Sequence, residues 1–351
     1  MADDAEAVRD GDQLDWALFE AHVRAALPEL DGPFEARQFP GGSANLTYLV
    51  RFGETELVLR RPPFGTIAPG AHDMKREFRV LSGLWQHFDR APRAYLFCED
   101  HSVVGSDFFV MERRTGEVIR DLIPASMLHH DRVGRRIGFA TVDAFAELHL
   151  LDPSTVGLDG LGKPDGFVER QVRGWTDRWS RVCELWDQPL MVTVSEELAR
   201  RVPLPSRVSL VHNDPKIDNC MFDAADPDRA TAIFDWDMTT VGDPLVDLGT
   251  LLNYWPDPSD PPGAWRGRDE TQREFGLPTR AEVIEHYGAR TGFDCTDARW
   301  YEAFAQWKTA VVVAQLHHRW RMGNSVNPRH ETIGDAVPVL ARSAADLLGL
   351  M

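Results

Sequence analysis

Hydrophobic residues recur every three to four positions near the N-terminus (Leu14, Leu18, Phe19, Val23, Ala26, Leu27, Leu30), which predicts a helix over roughly 15–27 after a polar, acidic dozen residues. The period then shortens to two. Residues 34–39 (FEARQF), 46–52 (LTYLVRF) and 55–61 (TELVLRR) predict the strands of an antiparallel meander, with a Gly-Gly-Ser loop before the second and a tight turn at Gly53-Glu54 before the third. The stretch 62–70 (PPFGTIAPG) continues neither pattern and reads as an ordered loop. Helical spacing returns over 73–88, with Phe78, Leu81, Leu84, Trp85 and Phe88 as the expected inward face. Two more strand candidates, 94–99 and 107–113, follow and are joined by a polar turn.

Beyond Gly116 the pattern turns mostly helical. A long apolar-periodic run covers 133–151, and further helices are predicted near 166–187, 191–201, 244–254, 280–290, 297–322 and 331–349. Two short strands, 207–212 and 230–236, interrupt this half and are expected to pair as one hairpin. The expected fold class is therefore α+β. A small lobe at 1–115 carries an antiparallel sheet and one main helix, and a larger helical lobe at 116–351 carries the hairpin.

Composition narrows the function. The chain has 351 residues, 43% of them hydrophobic, enough for two lobes with real cores. Lys and Arg total 38 against 55 Asp and Glu, a formal charge of −17, which argues against nucleic acid or an anionic membrane surface as partner. Cys98, Cys183, Cys220 and Cys295 lie far apart, with no metal-ligand spacing, and read as thiols of a reducing compartment. With neither a signal peptide nor an apolar run of membrane-spanning length, the expected location is the cytoplasm.

The candidate chemistry sits where the helical half is interrupted. Residues 211–219 (VHNDPKIDN) leave a strand and place His212, Asp214 and Asn219 in the following loop. The spacing Asp-x-x-x-x-Asn is that of kinase catalytic loops, in which the Asp takes or orients the proton of an attacking hydroxyl and the Asn helps hold Mg²⁺. Asp235, delivered by the apolar strand AIF, occupies the position of a second Mg²⁺ ligand. Asp223, Asp226 and Asp228 read as turn residues, His212 as a packed loop residue, and Asp237 and Asp247 as supporting carboxylates. Upstream, Gly41, Gly42 and Ser43 (in PGGSANLTY) would let backbone N–H groups approach phosphates. Arg60 is a candidate phosphate contact, with Glu77 as its partner.

These stretches together (GGSANLTYLV, LVLRRPPFGTIAPGAHDMKREFRVLSGL, GSDFFVMERRTGEVIRD, LVHNDPKIDNCMFD, AIFDWDMTTVGDPLVDLGTLL) resemble the aminoglycoside phosphotransferase family, and more closely the kinase-like domains found fused to or beside acyl-CoA dehydrogenases. The resemblance implies a protein-kinase-like two-lobe fold and transfer of the γ-phosphoryl group of ATP or GTP, with Mg²⁺, to a hydroxyl of a small molecule. It also implies an inter-lobe hinge at Met111, Glu112 and Arg113, whose backbone would meet the purine. Two departures stand out: Asn213 where the family has Gly, and Arg60 where it has Lys. The resemblance places the acceptor pocket on C-lobe helices, with Arg173, Trp175, Arg178, Trp179 and Trp255 as candidates. An aminoglycoside would need an acidic cleft there, and a hydroxyacyl thioester a basic and apolar one. Two other readings remain at this point, a nucleotide-binding interaction module with weak catalysis and a metal-dependent phosphohydrolase. The acceptor, the choice between ATP and GTP, and the oligomeric state stay open.

Overall fold

The two-residue turn at Gly53-Glu54 closes β2 (Leu46–Phe52) onto β3 (Thr55–Arg61), in a computed structural model that describes residues 5–40, 45–64, 73–205, 207–261, 263–265, 270–325 and 327–351. Gly53 sits at φ 58°, the left-handed region that glycine enters without a steric penalty. A Cβ there would also meet the Asp31 carbonyl at 2.9 Å. Two compact units emerge: Met1–Gly116 with Thr231–Thr239, and Glu117–Ala230 with Thr240–Met351.

In the first unit, α1 (Trp16–Ala26) is capped by the Asp15 carboxylate, which accepts from the Leu18 N–H at 3.1 Å. It is followed by β1 (Phe34–Gln38), β2 and β3, then by α2 (Met74–Leu84), β4 (Ala94–Cys98), the single turn α3 (His101–Val104) and β5 (Phe108–Glu112). The five strands form one antiparallel sheet in the order β1-β2-β3-β5-β4. Strand alternation sorts their side chains. Tyr48, Val50, Phe52, Leu57, Leu59, Phe108 and Val110 pack with Phe19 and Val23 of α1, each large side chain contributing about 1.5–3 kcal/mol on burial. The opposite alternation carries Val58, Arg60 and Phe109, with Arg60 directly across from Phe109.

Two expectations change here. The turn expected between β4 and β5 contains α3, started by Asp100 accepting from Ser102 N–H at 2.9 Å and ended by Gly105 at φ 82°. Moreover, α2 stops at Leu84, and its buried positions are Met74, Glu77, Val80, Leu81 and Leu84. Phe78 is only half-buried, stacking on Phe97 at 5.4 Å. The inward face is turned by one position from the apolar one because a carboxylate, Glu77, fills a core slot.

The second unit runs through β6 (Glu117–Val118), α4 (Val133–Leu150), α5 (Phe167–Trp179), α6 (Pro189–Arg200), β7 (Ser209–Val211), β8 (Cys220–Asp223), β9 (Asp226–Ile233), β10 (Thr240–Gly242), α7 (Leu245–Tyr254), α8 (Arg280–Thr291), α9 (Ala298–Arg321) and α10 (Ala336–Leu347). From Thr231 onward β9 belongs to the first unit. The 24-residue α9 packs against α7 and α10, burying Trp300, Tyr301, Phe304, Trp307 and Val311. Gly249 of α7 is required there, since a Cβ would lie 2.3 Å from the Tyr301 carbonyl oxygen.

The helix expected over 166–187 ends at Trp179, and the last one begins only at Ala336. The two expected hairpin strands are not partners. β7 pairs antiparallel with β10, Val211 opposite Thr240 and Ser209 opposite Gly242, whereas β9 lies beside β8, which pairs with β6. The hairpin is formed by Cys220–Asp223 and Asp226–Ile233, because the turn between them, Ala224-Ala225, is the short one.

Candidate active site

β7 ends at Val211, and the chain enters a loop whose backbone is gripped by one buried carboxylate. Asp247, in the first turn of α7, accepts from the His212 N–H at 2.6 Å and the Asn213 N–H at 2.8 Å. Its Oδ2 also meets His149 Nε2 at 3.1 Å, and His149 Nδ1 meets the Tyr287 hydroxyl at 2.8 Å. With the carboxylate accepting from Nε2–H, Nδ1 is left to accept from the Tyr287 O–H. Three donors on a fully buried Asp offset the cost of burying its charge. His212 is fully buried, with its ring edge-on to Phe145, and its Nδ1 accepts weakly from the Asp214 N–H at 3.3 Å.

Asn213 sits at φ 70°, left-handed, where Asn is tolerated better than most residues with a Cβ. The departure from Gly is therefore accommodated in the backbone. The turn it makes presents Asp214. The Asp214 Oδ2 receives Lys216 Nζ at 2.7 Å and Asn219 Nδ2 at 3.0 Å, and Asn219 Nδ2 also donates to the Asp214 carbonyl at 2.9 Å. With its amide nitrogen engaged, the Asn219 side-chain oxygen is turned away from Asp214. Asp214 and Asn219 are thus brought together in the second unit. Lys216, two residues beyond Asp214 in the same loop, is a functional candidate that the Asp/Asn spacing did not pick out.

The first unit gathers a second set. Arg60, on the α2 side of the sheet, places Nε 2.8 Å from Glu77 Oε2 and donates from Nη2 to Asp235 Oδ1 at 2.7 Å. The Nε–H is not aimed at Oε2, so the Glu77 contact is ionic rather than a directed hydrogen bond. Asp235 takes a left-handed conformation, φ 69°, at the head of a 3₁₀ turn, Trp236–Met238. That segment is anchored by Ile233 N–H to the Arg90 carbonyl at 2.9 Å, by the buried Trp236 indole against Phe88, and by Arg76 donating to the Thr239 carbonyl.

One guanidinium here serves three carboxylates. Burial works against the Arg60 charge, yet Glu77, Asp235 and Asp237 outweigh it and hold the guanidinium more firmly protonated than a free arginine. Glu77, the deepest of the three, takes the consequence: burial pushes its carboxyl up to about 7, against the pull of Arg60.

Of the remaining candidates, Met111 and Glu112 end β5, with Met111 buried, and Arg113 follows, its guanidinium 2.5 Å from Glu56. Glu112 accepts from the Arg93 N–H at 3.0 Å. The chain leaves the first unit four residues later, at Gly116. Gly41, Gly42 and Ser43 lie outside the described residues. Asp226 and Asp228 pair with Arg136, as surface residues of a strand. Trp255 is a core residue whose indole donates to the Pro278 carbonyl at 2.7 Å.

A family model described as the phosphotransferase enzyme family (APH) matches residues 35–300. The chain belongs to this family. Among curated proteins, the phosphotransferase chain is 31% identical over 320 residues to acyl-CoA dehydrogenase family member 10 of Mus musculus and 29% identical over 338 residues to member 11 of Homo sapiens. These matches take in 90% and 94% of this chain but 29% and 42% of those relatives, so the chain spans less than half the length of the curated relatives it matches. Among solved structures, a Ralstonia eutropha protein provisionally assigned as an aminoglycoside phosphotransferase superposes with a TM-score of 0.81 at 27% identity, covering 96% of this chain and 99% of that one. The GDP complex of aminoglycoside 2'-phosphotransferase-IIIa shares the fold, with a TM-score of 0.62 at 14% identity, over 95% and 99% of the two chains. The protein-kinase-like fold expected from the sequence is the fold observed, and the activity class is that of a small-molecule phosphotransferase.

The residues available to this phosphotransferase fit a magnesium ion in donor chemistry. Asn219 and Asp235 offer hard oxygens, and only one Asp235 oxygen is held by Arg60. Among the described residues no group of three or more His, Cys, Asp or Glu forms a self-sufficient metal cage.

Proposed function

We propose that this chain transfers the γ-phosphoryl group of ATP or GTP to a hydroxyl of a small molecule, with Asp214 as the catalytic carboxylate and Asn219 and Asp235 as the ligands of Mg²⁺. The observation that carries the reading is the grip of Asp247 on the His212 and Asn213 amides, which fixes the backbone immediately before Asp214. A carboxylate fixed in this way can align an acceptor hydroxyl and take its proton as the new O–P bond forms and the bond to the leaving diphosphate breaks. Lys216, beside Asp214, holds positive charge where the transferred group develops negative charge. When bound, the magnesium ion neutralises phosphate charge.

The first unit is proposed as the nucleotide-binding lobe, with Gly41, Gly42, Ser43 and Arg60 toward the phosphates, Glu77 supporting Arg60, and the backbone at Met111, Glu112 and Arg113 toward the base. The second unit is proposed as the catalytic and acceptor-binding lobe. A hydroxyacyl-CoA or an aminoglycoside-like compound are the acceptor classes considered. At the two departures that motivated a catalytically weak binding module, the phosphotransfer reading is supported by the left-handed φ that Asn213 adopts and by the pairing of Arg60 with Glu77. Family membership stands against a phosphohydrolase.

The deciding experiment is a screen of hydroxylated metabolites for ADP or GDP release with Mg²⁺, followed by phosphorus NMR of the product. A phosphate monoester on the acceptor is the expected result. Release of inorganic phosphate without an acceptor product would overturn the reading.

A further inference from the structure

Lys308 sits midway along α9, half-buried, in a protein whose charge is otherwise strongly acidic. Its Nζ lies 5.6 Å from the centroid of the Trp175 ring, and the Arg178 guanidinium lies 4.2 Å from the same centroid. Trp175 and Arg178 are three residues apart on α5, so they share a face of that helix, which packs against α9. Trp175 itself is buried. Neither cation makes an ion pair or hydrogen bond with any side chain among the described residues. Burial depresses the Lys308 ammonium below an ordinary lysine, while Asp214 and Asp247 pull the other way and Arg178 adds to the depression.

A lysine stem can lie along apolar surface and leave its charge in water, so partial burial alone decides nothing. The arrangement here is different. Two cations lie over one aromatic ring, Lys308 half-buried and Arg178 exposed, neither ion-paired among the described residues, in a chain with 55 acidic residues to supply a partner, and Asp214 is among the carboxylates whose charge acts on Lys308. The half-buried Lys308 charge, without an ion pair among the described residues, costs free energy to desolvate, and such a charge is retained where a ligand completes it.

We propose that Lys308, Arg178 and Trp175 form the acceptor subsite, selecting a hydroxyl compound that carries an anionic oxygen group, carboxylate or phosphate. The two cations bind that group while Asp214 takes the hydroxyl, and a polycationic aminoglycoside is repelled. This rests on the reading of Asp214 as the catalytic carboxylate.

The test uses the full chain and matched acceptors: hydroxyalkanoates of graded length, their uncharged amides, their coenzyme A thioesters, glycerol 3-phosphate, and kanamycin. Nucleotide turnover is measured with ATP, and binding by calorimetry with a non-hydrolysable ATP analogue present. Anionic acceptors are expected to exceed the amides by about tenfold or more in kcat/KM, and Lys308→Met to raise KM for anions by about tenfold with kcat changed far less, the signature of lost binding rather than lost chemistry. Arg178→Gln should act in the same direction. Lys308→Arg should restore most of the affinity, and these two variants carry the test if Lys308→Met does not fold. Preference for free acids over thioesters assigns the site to a carboxylate, and the reverse to phosphates. Amides or kanamycin used as well as anions, anion binding unchanged in the variants, or no anion binding at all would overturn the subsite. Lysine-dependent anion binding without ADP formation from any acceptor would leave the subsite standing and sink the phosphotransfer reading instead.

Discussion

At Asp214 a single carboxylate oxygen takes both an ammonium and an amide, and the two partners predict different losses. Asp214→Asn keeps the shape and removes the proton acceptor, so kcat should fall by about 10²–10⁴ with thermal stability little changed; near-full turnover would remove Asp214 from the chemistry. Lys216→Met should lower kcat by about 10²-fold and leave nucleotide affinity within a few-fold, read by separate turnover and binding measurements. Glu77 supplies a pH signature. Its folded carboxyl, raised to about 7 from 4.5, binds a proton that the unfolded chain has released. Its contribution to stability is therefore fully present below about pH 4.5 and is lost as pH rises through about 7. The melting temperature of the apo protein should drop over that window relative to Glu77→Gln, which mimics the neutral form. A difference that stays flat from pH 4.5 to 8 would refute the assignment.

Elements fix these residues from behind. The contact of α7 with α9 leaves no room beside Gly249, so Gly249→Ala should destabilise by about 2–4 kcal/mol in chemical denaturation, through overpacking against the Tyr301 backbone. In the catalytic loop, Asn213→Ala should cost about 1 kcal/mol, because alanine meets the left-handed conformation without a side-chain amide to stabilise it, whereas Asn213→Gly should be nearly neutral. Much of this was legible in the sequence. Three meander strands have residue ranges close to the expected ones because period-two patterning and a Gly-containing turn are local signals. Asp247 was picked out as a supporting carboxylate, close to the start of the helix expected near 244–254. What escaped was non-local: the partner of β7 is ten residues past the one expected, and Glu77 took a core position that apolar spacing assigned to Phe78. His149, Tyr287 and Lys308 had no local signature at all, since their roles come from side chains about 60 to 140 positions away.

The whole molecule is built from a chain that enters the first unit twice. Thr231–Thr239 returns to it with Trp236 against Phe88 and Asp235 on Arg60, after more than a hundred residues spent in the second unit. A fragment ending at Gly116 would leave the Arg60 and Glu77 pair without Asp235 and the Phe88 surface without its indole. Such a fragment should lack a cooperative melting transition by circular dichroism, and adding the 231–239 segment through a short linker should restore one. During synthesis the same arrangement sets a schedule. This lobe cannot finish folding until residue 239 has been made, so its completion waits on more than a hundred residues beyond Gly116, at a usual pace of roughly 5–20 residues per second. An unfinished N-terminal sheet stays exposed through that interval, and substitutions that weaken it should lower soluble yield before they alter the melting point of the finished protein.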